Sequence, residues 1–557
     1  MTVQRMVIGA ALAAGVFAAL AWGQVGQEGG ALKAGPTGSE APALAPLVKE
    51  EGLKRIEVSA PGEFLESNAL YVLTRDISAP RGALSFGKEW AVKITNCIID
   101  LNGHTVTYNT EKYNPTFREV CEGIRVFGDG PVVIRGGAVL QGAGGDPGCH
   151  GINLRGALAE VDRVSVCVSG ASATNIYGAG GGAGGRVHDC YLENRSTSIA
   201  PNLGATSGIS VTYTGGGWEI YNNTIIGGHW SVYLAANARP TQDTRAKVHH
   251  NRLAPRRVPG VKSPHAVMIY TSNGNDVFEN LIDTLDARGI NVQMGSKDNR
   301  VRHNLVAARY TSNALGAGGY DENRCYGYWE RSGGQAGNSV VANVFIVNNA
   351  TKGDDTSSSV GVVAGTGVNY PEALFSADVR DNVIACFHDD PKAKALGVEL
   401  NRCGKGARVE GNIILARSAG VVLAKGSEAV EVRGNTLVKP ANVDADWAAL
   451  TGPDLAKCVS EANKTEDAPA PVKGHVAPSG LAAIARPGAV ELRWNMSATR
   501  GAAYRVYRDG KPPAIPLRYA PFWVDLDVKP GETHAYSVSL VHPDGGESPP
   551  CAPVTSK

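Results

Sequence analysis

The sequence predicts an all-β chain, a parallel β-helix solenoid followed by a small β-sandwich, and two observations carry the prediction. The first is a short pattern, Val-x-x-Asn-x-(Ile/Leu/Val/Phe), that recurs at residues 220–225 around Asn223, 248–253 around Asn251, 277–282 around Asn280, 301–306 around Asn304 and 340–345 around Asn343. Further copies centre on Asn382, Asn412 and Asn435, and an earlier one at 187–192 has Cys190 in the Asn place. Self-similarity of this kind marks a solenoid, because each unit has an apolar face that only stacked neighbours can cover. The second observation is that the chain's last part drops the pattern and alternates as sandwich strands do, at 490–494, 504–507 and 536–538.

The pattern also specifies the rung. Two apolar residues five apart with a polar turn between them suit two short strands meeting at a corner. Asn tolerates the left-handed conformation that such a corner requires, and stacked Asn side chains can hydrogen-bond in a ladder. The shortest Asn-to-Asn separations are 23 residues (Asn412 to Asn435) and 24 (Asn280 to Asn304), enough for three short strands and three turns.

In chain order, residues 1–23 read as an export signal, with Arg5 before an apolar stretch and the small residues Ala21 and Gly23 near a cleavage point. Residues 24–52, rich in Gly, Ala, Pro and Glu, read as a flexible leader. The β-helix is expected over 53–440, a linker or cap over 441–477, and the sandwich over 478–557, with Arg508-Asp509-Gly510-Lys511 as a hairpin turn. With the signal removed, no membrane span is expected, and the protein is expected outside the cytoplasm, secreted, periplasmic or at the cell surface, as a monomer.

Residues 98–106, Ile-Ile-Asp-Leu-Asn-Gly-His-Thr-Val, together with the Asn repeats, resemble the right-handed parallel β-helix proteins of the pectate-lyase-like superfamily. The resemblance covers roughly 53–440 and implies a right-handed solenoid. It leaves the chemistry open, because that superfamily holds lyases, glycosidases and non-catalytic proteins. The segment 478–557 resembles a fibronectin type III module, with Trp494 in its core. It departs from that family at His534, where a corner Tyr often stands.

Lys and Arg number 54 against 53 Asp and Glu, so no general basic field points to nucleic acid. The 69 glycines suit a fold full of tight turns. Ten cysteines are present; Cys121 and Cys149 flank a Gly-rich stretch and are placed to close a loop, while Cys97, Cys167, Cys190 and Cys386 read as small buried hydrophobes.

Surface elaboration is expected where repeats are far apart: Asn304 to Asn343 and Asn343 to Asn382 each span 39 residues. The first gap carries Asp321, Glu322, Arg324, Tyr326, Tyr328, Trp329, Glu330 and Arg331, read as a loop with the aromatic and charged mixture of a sugar site. The other reading of this loop is that it packs its own aromatics on the solenoid wall. The second gap carries Asp354 and Asp355, candidate Ca²⁺ ligands or acids, or ordinary turn residues. Lys262, His265 and Arg288 lie beside strands of adjoining rungs.

Two mechanisms follow. A uronate lyase would use Asp354 and Asp355 on Ca²⁺, Arg324 or Arg331 to neutralise the substrate carboxylate, and Lys262, His265 or Tyr328 to move the proton. Tyr326, Trp329, Asp321 and Glu322 would then hold the sugar. A hydrolase would draw two carboxylates from Asp321, Glu322, Glu330, Asp354 and Asp355. Polygalacturonase motifs do not match: His150-Gly151 comes before Asp354-Asp355, whereas that family has its His after its acids. The expected function is therefore an exported polysaccharide lyase or glycosidase for an acidic or complex glycan, with a non-catalytic, carbohydrate- or partner-binding surface protein as the rival.

Overall fold

In the computed structural model the described residues are 35–36, 39–89, 91–113, 121–179, 184–200, 206–212, 216–235, 245–256, 258, 264–310, 324–331, 337–351, 358–365, 375–390, 392–440, 446–467, 476–497, 502–513, 515, 517–529, 531–542 and 546–556. The export-signal reading of 1–23 lies outside them. They fall into two compact units, one formed by 39–278 with 291–299, the other by 35–36 with 279–290 and 300–557. Among the described residues there is no α-helix, only one short 3-10 turn at Leu455–Lys457, and no helix long and apolar enough to cross a membrane.

Each unit contains a parallel β-helix whose rungs have three strands, as the repeat length requires. In the 39–278 unit one rung is Gly185–His188, Tyr191–Asn194 and Ser207–Thr212, and the next is Trp218–Tyr221, Thr224–Gly227 and Trp230–Ala235. Each strand pairs in parallel with its counterpart in the neighbouring rung. The apolar residues of the pattern stack in register inside: Val187, Ile220, Val248 and Val277 in the first column, Leu192, Ile225 and Leu253 in the second. In the other unit the same columns read Val301, Val340, Val379, Val409, Val432, and Ile282, Val306, Phe345, Ile384, Ile414, Leu437. Burying such a side chain is worth about 1.5–3 kcal/mol, so the repeated apolar pair is what drives rung on rung.

The Asn residues form the ladder but do not turn the corner. Positive φ belongs to the residue before each Asn: Asn222, His250, Glu279, His303, Ala342 and Asp381 all lie between 54° and 56°, and Gly411 and Gly434 follow suit at 65° and 59°. This corrects the expectation that the Asn itself takes the left-handed conformation. Its task is instead performed by the side chain. Asn280, Asn304, Asn343, Asn382, Asn412, Asn435 and Asn463 are linked in series, each Nδ2 donating to the Oδ1 of the next at 2.9–3.1 Å. Each Oδ1 also accepts the backbone N–H of the preceding Asn, so one buried amide stitches two rungs. Asn463 lacks the apolar partners that made the other copies legible. In the other unit Cys190, which has no amide, still donates its N–H to Asn223 Oδ1 at 3.0 Å.

A second repeat marks the third column. Gly327-Tyr328, Gly361-Val362, Gly397-Val398 and Gly420-Val421 occupy equivalent places on successive rungs. A Cβ on each glycine would stand 2.5–2.7 Å from the carbonyl oxygen of the next rung, so only glycine lets these backbones approach. The residue after each glycine fills the interior.

Three boundaries differ from expectation. Residues 39–50 of the segment expected to be flexible lie against the wall of the 39–278 unit: Ala41 N–H donates to Asn222 Oδ1 at 2.8 Å, Leu47 N–H to Glu160 Oε2 at 2.7 Å, and Val48 is buried with Ile98 and Val133. Of the two expectations for 441–477, a linker or a cap, the linker does not fit, because the segment carries further rung strands, Ala448–Thr451, Val459–Glu461 and Lys464–Asp467, all in register with the preceding ones. Residues 324–331, expected in a loop, form a third-column strand, Arg324–Arg331. Aromatic residues around a close-packed glycine suit a pleated strand once a partner strand is present.

At the C-terminus two three-stranded antiparallel sheets share a core of Val490, Leu492, Trp494, Tyr504, Val506, Tyr536, Val538 and Leu540. Asp509 and Gly510, at φ 52° and 74°, make the expected tight turn. This sandwich is anchored to the solenoid wall by a buried carboxylate. Asp283 Oδ1 accepts from Arg309 at 2.5 Å, and its Oδ2 accepts the N–H groups of Tyr519 and Ala520 at 3.0 and 3.3 Å. Arg518 lies 3.4 Å from Oδ2, and Arg309 also donates to Leu517 O at 2.5 Å. Burial alone would raise the Asp283 carboxyl, but Arg309 and Arg518 hold it below the ordinary range.

Candidate functional site

The third-column strand Arg324–Arg331 separates the predicted site residues onto two faces. Cys325, Tyr328 and Glu330 turn inward. Tyr328 is in register with Val362, Val398 and Val421, and its hydroxyl donates to Glu330 Oε2 at 3.2 Å. Burial lifts the Glu330 carboxyl to about 7, although Asn338 Nδ2 donates to it at 2.8 Å. A group sealed inside the solenoid cannot meet a glycan, so the catalytic expectation for Tyr328 and Glu330 is corrected.

Arg324, Tyr326, Trp329 and Arg331 are on the other face. The two rings stack at 5.0 Å with planes 24° apart. Arg288 lies over both rings at 5.0 and 5.2 Å, Arg324 over Tyr326 at 5.3 Å and Arg331 over Trp329 at 4.6 Å. Arg324 also pairs with Glu399, and its Nε donates to Ser358 Oγ at 2.8 Å. Yet Tyr326 and Trp329 are only 1 % and 2 % exposed and pack on Val360 and Val363. The rings are therefore clamped between aliphatic side chains and guanidinium groups, and no face is left for a pyranose. The wall-packing reading of these aromatics is the one realised; their sugar-stacking role is corrected.

His265 opens the strand His265–Tyr270 and is fully buried, with Asn291 Nδ2 3.0 Å from its Nε2. Burial against an amide makes it a structural group rather than a proton acceptor for a glycan. Lys262, Asp321, Glu322, Asp354 and Asp355 lie outside the described residues. Among the predicted residues that are described, Arg324, Tyr326, Trp329 and Arg331 come together on one face, and of these only the two arginines are partly exposed.

A different set of side chains does face outward, on the third column of the 39–278 unit. Trp230 and Tyr233 stack at 4.4 Å, 20° apart, and Tyr270 on the following rung lies 6.5 Å from Tyr233. All three are partly exposed. Their strand register explains the arrangement: Tyr177, Ser210, Tyr233 and Met268 follow one another across four rungs. Small Ser210 between two tyrosines leaves them two rungs apart, about 9.6 Å at the usual ~4.8 Å strand spacing. Tyr177 is stacked on His150 at 4.9 Å and accepts the Thr212 hydroxyl at 3.1 Å. Thr174 N–H donates to His150 Nδ1 at 3.1 Å, and burial lowers that imidazole to about 4, so it stays neutral with its proton on Nε2. Sequence reading missed these rings because they lie in short gaps between repeats, where no added length drew notice. A usable signal was the aromatic recurrence itself in third-column strands.

One further cluster sits on the first column. His188 is held at Nε2 by Glu160 Oε1 (3.0 Å) and at Nδ1 by Asp189 Oδ2 (2.8 Å), with Asp162 Oδ1 3.5 Å away. Burial would lower this imidazole, but the carboxylates raise it to about 9. Asp162, His188 and Asp189 have the donor set and closeness for a metal, though both ring nitrogens already serve carboxylates as an imidazolium would. Tyr221 stacks on His188 at 4.7 Å and on His249 at 5.3 Å, and His249 on Phe278 at 4.6 Å, which extends the cluster as an aromatic stack.

No family model matches the chain, and no curated protein matches it. A solved structure, that of the Dettilon tailspike protein, aligns over 87 % of this chain and 70 % of its own at 10 % identity with a TM-score of 0.32. That likeness is too remote to carry a conclusion about this chain.

Proposed function

We propose that this is an exported glycan-binding protein that holds a polysaccharide strand against the outward third-column face of the 39–278 unit. The observation that carries the reading is the stacked, partly exposed Trp230–Tyr233 pair, extended by Tyr270. Sugar rings present apolar faces that pack on aromatic rings while their hydroxyls find polar neighbours. The two-rung offset between Tyr177 and Tyr233 is comparable to a disaccharide, so alternate residues of one chain would meet rings. Binding is preferred to cleavage because Tyr328 and Glu330 are inside the solenoid and His265 is buried. Calcium-assisted uronate chemistry through Asp354 and Asp355 is the second reading, and the same experiment separates it.

The test is tryptophan fluorescence titration with acidic and neutral oligosaccharides, with product absorbance followed in the ultraviolet with and without calcium. Saturable binding without unsaturated product is expected, and Trp230→Ala should weaken it about tenfold or more, a loss of about 1.4 kcal/mol. Undiminished binding by the variant would refute the site. Calcium-dependent product would establish the lyase reading instead.

A further inference from the structure

We propose that Cys121 and Cys149 form a disulfide joining two adjacent rungs of the 39–278 unit. The register brings them opposite one another. Ile124 pairs with Ile152, and each cysteine stands three residues before its strand's first paired position. Gly123 N–H donates to His150 O at 3.1 Å and Ile124 N–H to Gly151 O at 2.9 Å, so the two backbones are paired up to the cysteines' neighbours. Adjacent strands lie about 4.8 Å apart, inside the Cα window of about 4.4–6.8 Å that a disulfide spans.

The side chains agree with the backbone. Both residues are buried, and the neighbouring Cys121 together with burial pushes the Cys149 thiol up. Other described cysteines have backbone acceptors of their own: Cys97 with Thr95 O at 3.3 Å, Cys190 with His188 O at 3.1 Å, Cys403 with Asn401 O at 3.8 Å. Tyr108 fixes the Cys149 end by donating to its carbonyl at 2.9 Å.

The chemistry balances by thiol–disulfide exchange. One thiolate attacks an external disulfide, of an oxidoreductase or of glutathione, and the second cysteine displaces the carrier. Two protons and two electrons leave the pair, and the oxidant's disulfide becomes two thiols. Burial and mutual contact disfavour the Cys149 thiolate in the folded chain, so the bond forms before this rung closes. Once formed, it ties the strand that follows Glu122 to the strand that follows His150, the ring against which Tyr177 stacks.

The full chain should be refolded in a glutathione redox buffer, free thiols alkylated, and the protein digested with trypsin without reduction. The expected result is a linked pair of peptides 119–125 and 136–155, two hydrogens lighter than their sum. Reductant should lower the melting temperature of the wild type and leave that of Cys149→Ala unmoved. Recovery of both peptides singly alkylated, or linked to other cysteines, would overturn the proposal. Because the buffer supplies the oxidant, this outcome is independent of export; the state of the pair in protein recovered from the cell tests export separately.

Discussion

Replacing Asn382 by Ala removes four hydrogen bonds from the centre of the ladder. Asn382 Oδ1 accepts from Asn343 N and Nδ2 at 2.9 and 3.1 Å, and its Nδ2 donates to Val340 O and Asn412 Oδ1 at 2.9 Å each. At about 1 kcal/mol net per bond the loss is about 4 kcal/mol, and the orphaned Asn343 N–H, sealed from water, adds about 1–3 kcal/mol more. Asn463, the last rung of the ladder, makes a similar set of bonds but is partly exposed, so water can replace its lost partners. Asn463→Ala should therefore cost only about 1 kcal/mol. A third variant, Asn382→Asp, keeps the shape but cannot donate, and it sets a carboxylate against two oxygens; it should be at least as damaging as the alanine. Urea denaturation gives the global change, and hydrogen exchange at rungs 340–349 and 378–388 shows where opening begins, because solenoid stability is close to a sum of neighbour terms. If Asn382→Ala and Asn463→Ala cost the same, or Asn382→Asp is tolerated, the ladder is not what stitches the rungs.

Asp283→Ala strips the partner from two buried guanidinium groups, so the anchoring of the sandwich should weaken by about 3–5 kcal/mol; the check is trypsin cleavage after Arg518, buried in the wild type and expected to open in the variant. His188 has a folded pKa of about 9 against 6.5 unfolded. Its contribution, on the order of 3 kcal/mol, is thus fully present below pH 6.5 and lost as pH rises through 9. The urea midpoint should fall over that window in the wild type and stay flat in His188→Gln; a flat wild-type profile would refute the assigned ion cluster.

The repeat by itself determined the rung, because the apolar pair flanking each Asn is buried when like units stack in register. The sandwich core around Trp494 and the turn at Asp509-Gly510 were legible for a similar local reason. The choice of αL residue was not: several residue types fill that place, and the recurrent Asn beside it serves through its side chain. Nor could the sequence say which aromatics face solvent. Tyr326 and Trp329 looked like a sugar platform in a long gap, yet their neighbours in space, Arg288, Val360 and Val363, come from other rungs and cover them. Trp230, Tyr233 and Tyr270 drew no notice one by one and become a surface only through register. The same holds for Asp283, an ordinary strand residue until Arg309 and the 517–520 segment meet on it. Local pattern fixes what repeats along the chain; exposure and charge pairing depend on partners far apart in sequence, and only the folded structure decides those.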